Sequence, residues 1–197
     1  MSIYTPEYQP NGDEIANITT SKGVIKVKLA GDDAPIHVGN FVELARKGFY
    51  DGLKFHRYEP GFVIQGGCPN TRDLSPSQVI AGGAYPPPGI GDPGYSIKGE
   101  WMTNPNNRHQ DGTLAMARSQ HPDSAGSQFY FCLGAQPFLD GNYTVFGDPV
   151  DQESLEVIHS LRKGDVIESI EIDDGSVVEQ DGEAEGTEEP VEMESGD

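Results

Sequence analysis

The stretch FHRYEPGFVIQGG, residues 55–67, sets two strong hydrogen-bonding side chains among apolar ones. It reads as one half-buried strand, in which alternate side chains face a core and a surface. Arg57 and Gln65 share the outward parity. They are either ordinary surface groups or the floor of a site that grips a substrate by hydrogen bonds. Alternation sends His56 to the opposite side, where it reads as structural. Other chemical motifs fail on context. GIGDPG at 89–94 satisfies G-x-G-x-x-G, but prolines precede and interrupt it where a dinucleotide fingerprint needs a strand and then a helix. AGSQF around Ser127 lacks the G-x-S-x-G of a nucleophile elbow, and no spacing links His121 and Asp123 to a serine. The five histidines are scattered, with no i, i+4 pair for a helical metal site, so no metal is expected.

The elements that would position Arg57 and Gln65 follow from periodicity. Ile25, Val27 and Leu29 alternate with Lys26 and Lys28, the pattern of a strand with one wet face, and Ser21-Lys22-Gly23 reads as a hairpin turn before it. Val38, Phe41, Val42 and Ala45 have helical spacing, with Pro35 at the first turn and Gly48 as a stop. Residues 68–94 are rich in Pro and Gly and read as a long surface loop, a class that is often functional. GTLAMARS, SQFYFCLG and NYTVFGDPV read as strands. Leu155, Ile158 and Leu161 suggest a second helix stopped by Gly164, and VIESIEI a last strand. Short strands that do not alternate with helices argue for an antiparallel sheet or barrel with a helix at either end.

The chain has 197 residues, enough for one domain and a tail. Its formal charge of −19, from 32 acids against 13 bases, argues against binding nucleic acid, whose phosphates need a basic surface. Residues 173–197 hold eleven of the acids and no Lys or Arg. With few apolar residues and no aromatics, this segment is expected to be a disordered acidic tail. Residues 1–14 read as an irregular extension and 15–172 as the folded domain. No apolar run is long enough to span a bilayer, so no membrane association is expected. The N-terminus does not have the pattern of a signal peptide. Two cysteines, Cys68 and Cys132, fit no metal motif or disulfide framework and are expected as free thiols in the cytoplasm.

Six segments together resemble the cyclophilins, a family of peptidyl-prolyl cis-trans isomerases: NF at 40–41, GFYDGLKFHR at 48–57, PGFVIQGG at 60–67, GTLAMA at 112–117, AGSQFYF at 125–131 and FLDGNYTVFG at 138–147. All six occur in order between about Thr20 and Ile172, and GTLAMARSQHPDSAGSQFYF is most like the short prokaryotic members. The resemblance implies a mainly β fold, a closed antiparallel β-barrel capped by two α-helices. It implies Arg57 and Gln65 as catalytic residues. Phe62, Val63, Ala117, Arg118, Gln128, Tyr130, Phe138, Leu139 and Tyr143 would bind substrate. Arg118 stands where many relatives have asparagine, Tyr130 where phenylalanine is commoner, and Tyr143 where many eukaryotic members have histidine. Phe138 replaces the tryptophan of cyclosporin-sensitive members, so weak cyclosporin binding is expected. The tyrosine hydroxyl at 130 would need water or a partner at the floor of a proline pocket.

The implied chemistry is rotation about Xaa-Pro bonds against a barrier of ~18–20 kcal/mol. It breaks no bond and needs no cofactor. Phe62, Tyr130 and Leu139 would hold the proline ring, and Arg57 would donate to the prolyl nitrogen as its lone pair localises. Gln65 would hold the rotating carbonyl or orient Arg57. The expected partners are proline-containing peptides and partly folded proteins, met by a monomer. The alternative is a binding module in which the groove holds proline segments and turnover is incidental. The presence of Arg57 favours the enzyme.

Overall fold

The computed structural model describes residues 2–176, so the expectation of disorder from 177 onward lies outside the described residues. Among the described residues there are eleven strands and α-helices: β1 (Ile15–Thr20), β2 (Gly23–Leu29), α1 (Pro35–Arg46), β3 (Arg57–Glu59), β4 (Val63–Gly66), α2 (Pro76–Ala81), β5 (Leu114–Met116), β6 (Phe129–Cys132), β7 (Val145–Pro149), α3 (Gln152–Ser160) and β8 (Ile167–Asp173). The strands form one eight-stranded sheet in the order β3-β4-β6-β5-β7-β2-β1-β8. All its named pairings are antiparallel. The sheet curls on itself. Between its edge strands β3 and β8 the ladder stays open. The residues just before β3 nevertheless meet the start of β8 through an isolated bridge, Lys54 to Val166, and through backbone bonds such as Phe55 N to Asp165 O at 2.9 Å. The expected mainly β antiparallel fold with helices packed on it is the architecture found, but the sheet forms a half-barrel where a closed barrel was expected, because β3 and β8 do not pair.

The sheet has two buried faces in the region that matters. Phe129 and Phe131 of β6, Ile64 of β4 and Leu114 and Met116 of β5 enter the main core beneath α1. The alternate residues Tyr130, Cys132, Val63 and Ala115 enter a second, smaller cluster with Leu139 and Val145. Strands covered on both sides read as continuous apolar runs, which is why FYFC is buried at every position. This second cluster is the underside of the site described below.

The helices are capped by different means. Asp151 caps α3 by accepting from Ser154 N at 2.8 Å. Ala34 offers α1 no side-chain cap. Glu100 supplies it from a distant loop, accepting from Ile36 N and His37 N at 3.2 and 2.7 Å. The extension before β1 is irregular but docked: Tyr4 Oη donates to Glu43 at 2.7 Å, and Glu43 also accepts from Glu7 N and Tyr8 N. Gly39 on α1 permits this approach, since a Cβ there would lie 2.7 Å from Tyr8 O.

Four expectations need correction. FHRYEPGFVIQGG is not one strand but a hairpin. Gly61 takes a positive φ of 69°, a backbone state that favours glycine, and Phe62 N donates back to Glu59 O at 3.0 Å. Residues 68–94 contain α2, with a complete capping box between Ser75 and Gln78. The helix α3 ends at Ser160, before Gly164, because Leu161 turns extended and enters the core, and Gly164 N then bonds Phe55 O at 2.8 Å. Asp173 still belongs to β8, paired with Ile15, and Asp174 lies 3.1 Å from Arg46, so the folded body extends past the expected boundary at 172.

Candidate active site

The hairpin answers the question raised by Arg57 and Gln65. Along a single strand, eight residues apart, they would be separated by roughly 27 Å. Folded at Pro60-Gly61, they become direct cross-strand partners. The row continues across the sheet: Gln65 pairs with Tyr130 of β6, and Tyr130 with Ala115 of β5. Side chains in one cross-strand row share a face. The row therefore presents a guanidinium, an amide and a phenol ring side by side above the second apolar cluster.

A cavity of about 160 Å³ opens on this row, lined by Arg57, Phe62, Val63, Gln65, Ala117, Arg118, Tyr130, Leu139 and Tyr143. The two remaining predicted residues adjoin it. Phe138 stacks on Phe62, with ring centroids 5.7 Å apart and planes inclined by 20°. Gln128 lines a second cavity of about 350 Å³, which shares Gln65, Ala117 and Arg118 with the first and is bounded by Gly89–Asp92. All eleven predicted residues thus meet around two adjoining cavities.

The floor is fixed. Tyr130 is 4 % exposed, and its edge meets Tyr143 at 6.2 Å and 83°. Burial raises its pKa far above the ordinary phenol range, so it stays protonated. Its hydroxyl lies 2.8 Å from His109 Nε2, and His109 Nδ1 lies 2.9 Å from Asp140 Oδ1. Gln65 Nε2 donates to Gln128 Oε1 at 3.1 Å. Gln128 Nε2 in turn donates to the carbonyls of Gly89 and Gly91 at 2.9 and 2.8 Å. The 68–94 segment is thereby tied to the site and is not a free surface loop. Among the described residues the Gln65 side chain bonds Gln128 through Nε2 and makes no hydrogen bond to Arg57.

The rim is open. Arg57 is 48 % exposed in its side chain and faces Glu59 with Nε–Oε1 at 3.7 Å. Its Cζ stands 5.7 Å from the Phe62 ring centroid. An ion pair this exposed is worth about 0–1 kcal/mol, so Arg57 keeps donors free for a ligand. Arg118 is held more firmly. Its Nε and Nη2 both donate to Asn142 O, at 2.9 and 2.7 Å, and its guanidinium lies between the rings of Trp101 and Tyr143 at 5.0 and 4.9 Å. His56, beside Arg57, has its Nδ1 buried without a partner among the described residues. Burial, aided by Arg57 and Lys163, pulls its pKa down to about 4, so it is neutral at pH 7.

The family model described as cyclophilin type peptidyl-prolyl cis-trans isomerase/CLD matches residues 15–183. The chain belongs to the cyclophilin family. It is 45% identical over 157 residues to a peptidyl-prolyl cis-trans isomerase of Synechococcus elongatus, an alignment covering 80% of this chain and 94% of that protein. A Helicobacter pylori protein of the same name is 44% identical over 155 residues, covering 79% and 85%. A crystal structure of a Cryptosporidium parvum cyclophilin type peptidyl-prolyl cis-trans isomerase in the presence of the dipeptide Ala-Pro matches with a TM-score of 0.61 and 26% identity, covering 79% of this chain and 96% of that one.

Within this cyclophilin, sequence reasoning missed His109, Asp140 and the Gly89–Asp92 wall. The buried phenol demanded a partner, but no spacing rule points from Tyr130 to a histidine 21 residues upstream. Among the described residues no helix is long and apolar enough to cross a membrane, and no cluster of three metal-ligating side chains forms.

Proposed function

We propose that this chain catalyses cis–trans rotation about Xaa-Pro peptide bonds, with the prolyl ring in the cavity over Tyr130 and Arg57 acting at the prolyl nitrogen. The observation that supports this most directly is the juxtaposition of half-exposed Arg57 with an apolar cavity walled by Phe62, Leu139 and Tyr130. Resonance makes the amide planar, and rotation localises the nitrogen lone pair at the top of a barrier of ~18–20 kcal/mol. A donor that meets the lone pair only in the twisted state stabilises the transition state over both planar forms. A guanidinium does this without a change of protonation, since it stays charged at all working pH values.

The other roles follow from position. Phe62, Val63, Leu139 and Tyr143 hold the ring by apolar contact. Gln65 gives one amide hydrogen to Gln128, and its second remains for the carbonyl that swings with the twist. Ala117 keeps the boundary between the two cavities low, and Gln128 with Arg118 flanks the peptide beyond the proline. Phe138 extends the Phe62 wall outward. Substrates are proline-containing peptides and partly folded proteins. The folded unit acts as a monomer with weak affinity for cyclosporin. Two buried, unpaired thiols, Cys68 and Cys132, fit a cytoplasmic setting, where thiols stay reduced.

Exchange NMR on a Xaa-Pro peptide tests the reading. Acceleration of exchange by catalytic amounts of protein is the expected result. Binding that shifts the peptide resonances without accelerating exchange would make the chain a proline-binding module instead.

A further inference from the structure

Tyr130 forms the floor of the cavity proposed for a proline ring, beside Phe62, Val63 and Leu139, and its hydroxyl has a dedicated partner in His109. His109 is fully buried in its side chain. Its backbone N–H and its Nδ1 both lie on Asp140 Oδ1, at 2.7 and 2.9 Å. A carboxylate can only accept, so Nδ1 carries the imidazole proton. In the neutral ring Nε2 is then a pure acceptor, and the Tyr130 O–H at 2.8 Å donates to it. The two rings are nearly parallel, with planes inclined by 12° and centroids 5.9 Å apart. Asp140 directly follows Leu139 of the proline cavity. Asn107 fastens the same turn by donating to Asp140 O and to Tyr143 O, the latter at 2.8 Å.

We infer that His109 is a positioning residue for proline binding: held by Asp140, it turns the Tyr130 hydroxyl away from the cavity and lets a tyrosine serve as an apolar wall. This rests on the proposed prolyl-isomerase reading and adds a residue outside the cavity lining. It explains how a tyrosine occupies the floor. An unpartnered hydroxyl there would draw water into the space of the proline ring, and displacing that water would weaken binding of ground state and transition state alike. Loss of such uniform binding appears in KM more than in kcat.

The relay also predicts a pH signature. Protonation gives Nε2 a hydrogen of its own, and Tyr130 can no longer donate to it. The charged and titratable groups around the imidazole are Asp140 of the adjoining turn, Asp148 of β7 and Tyr130 of β6, with Cys132 of β6 next to Tyr130. Burial lowers the His109 pKa below its ordinary value of 6.5, against the upward pull of Asp140 and Asp148. Burial likewise lifts the Cys132 thiol to about 12. The ring is therefore neutral at pH 7, and the hydroxyl is released only as pH falls through the lowered His109 pKa.

The test is a double-mutant cycle read by exchange NMR on a Xaa-Pro peptide. His109→Leu is expected to raise KM about tenfold in the Tyr130 protein, with kcat changed by less than about threefold. In the Tyr130→Phe protein the same change should move KM by less than about twofold, because removing both polar partners leaves nothing unsatisfied. Equal KM increases in both backgrounds would mean that His109 merely supports the fold, and no increase in either would remove its role; both outcomes overturn the inference. Should His109→Leu fail to fold, the pH profile decides. KM of the unmodified protein should rise as pH falls through the lowered His109 pKa, and that of Tyr130→Phe should stay level; parallel profiles overturn the inference. If the unmodified protein shows no turnover, the isomerase reading fails separately, and peptide Kd from NMR titration replaces KM in the same cycle.

Discussion

Tyr130 and Arg57 stand in one cross-strand row, two strands apart and separated by about 10 Å at ordinary strand spacing, yet their surroundings are opposite. Tyr130 is buried beneath the cavity, and its polar atom is bonded to a histidine that is itself bonded. Arg57 is half in water, with one loose ion pair and one aromatic face for company. The floor of the cavity is built like a protein core and the rim like a protein surface. For a reaction that needs a rigid seat and a donor that acts only at the twist, this division is sensible: the floor sets geometry, and the rim group gains strength when the substrate displaces its water. Electrostatic interactions strengthen as the local dielectric falls.

The sharpest way to break the comparison is to make a floor residue behave like a rim residue. Phe129 lies under the floor, fully buried, with its edge or face against Phe41, Tyr50, Phe55 and Phe131. Phe129→Ala should cost about 3–5 kcal/mol of stability, read as a fall in the urea midpoint. Arg57→Ala should do the reverse. It should lower kcat/KM at least tenfold, or ~1.4 kcal/mol of transition-state stabilisation, and leave the urea midpoint within about 0.5 kcal/mol of the unmodified protein. Unchanged turnover in that variant would remove Arg57 from the mechanism, and a large loss of stability would show that the rim is structural after all.

The same division marks how far the sequence could be read. Strands whose one face is wet, such as β2 with Lys26 and Lys28 outward, declare themselves by alternation. The predicted site residues were reached through six segments in order, and all eleven gather around the two cavities because those segments lie on adjacent strands and the turns between them. The hairpin at Pro60-Gly61 was legible in principle, since Pro-Gly marks a turn, but the interleaving of polar and apolar residues on either side suggested a single strand. The α2 helix had its signal too, in Ser75-Pro76 with Gln78. What sequence could not supply is contact between distant loops. Nothing local ties Tyr130 to His109, or Gln128 to the carbonyls of Gly89 and Gly91, because those bonds depend on how loops return over a finished sheet.

A smaller effect probes the outer edge of the rim. Phe138 is 64 % exposed while stacked on Phe62. It offers a ring face but no N–H donor. Phe138→Trp should tighten cyclosporin binding by about 1 kcal/mol, or roughly fivefold, the gain being limited because water already serves the ligand acceptor at so open a position. Turnover of a small Xaa-Pro peptide should change by less than about twofold, since the proline ring sits deeper, over Tyr130. Calorimetry on both proteins checks the first figure. Tight binding by the unmodified protein would show that position 138 does not govern the ligand.

The smallest effect is the most discriminating for the rim itself. Glu59 is the only carboxylate within ion-pair distance of Arg57 among the described residues, at 3.7 Å, with side chains 54 % and 48 % exposed respectively. If the rim is loosely held, Glu59→Gln should lower kcat/KM by less than about threefold, because an ion pair so exposed contributes about 0–1 kcal/mol and is screened by salt. Glutamine keeps the length of the side chain, so packing against the β3–β4 hairpin is preserved and only the charge is removed. The measurement is kcat/KM at low and at ~0.5 M salt: the difference between the two proteins should shrink at high salt, where the Debye length falls to a few ångströms. A loss that approached the Arg57→Ala effect and persisted in salt would mean that Glu59 fixes the guanidinium before substrate arrives. The rim would then be preorganised like the floor, and the division drawn between them would collapse.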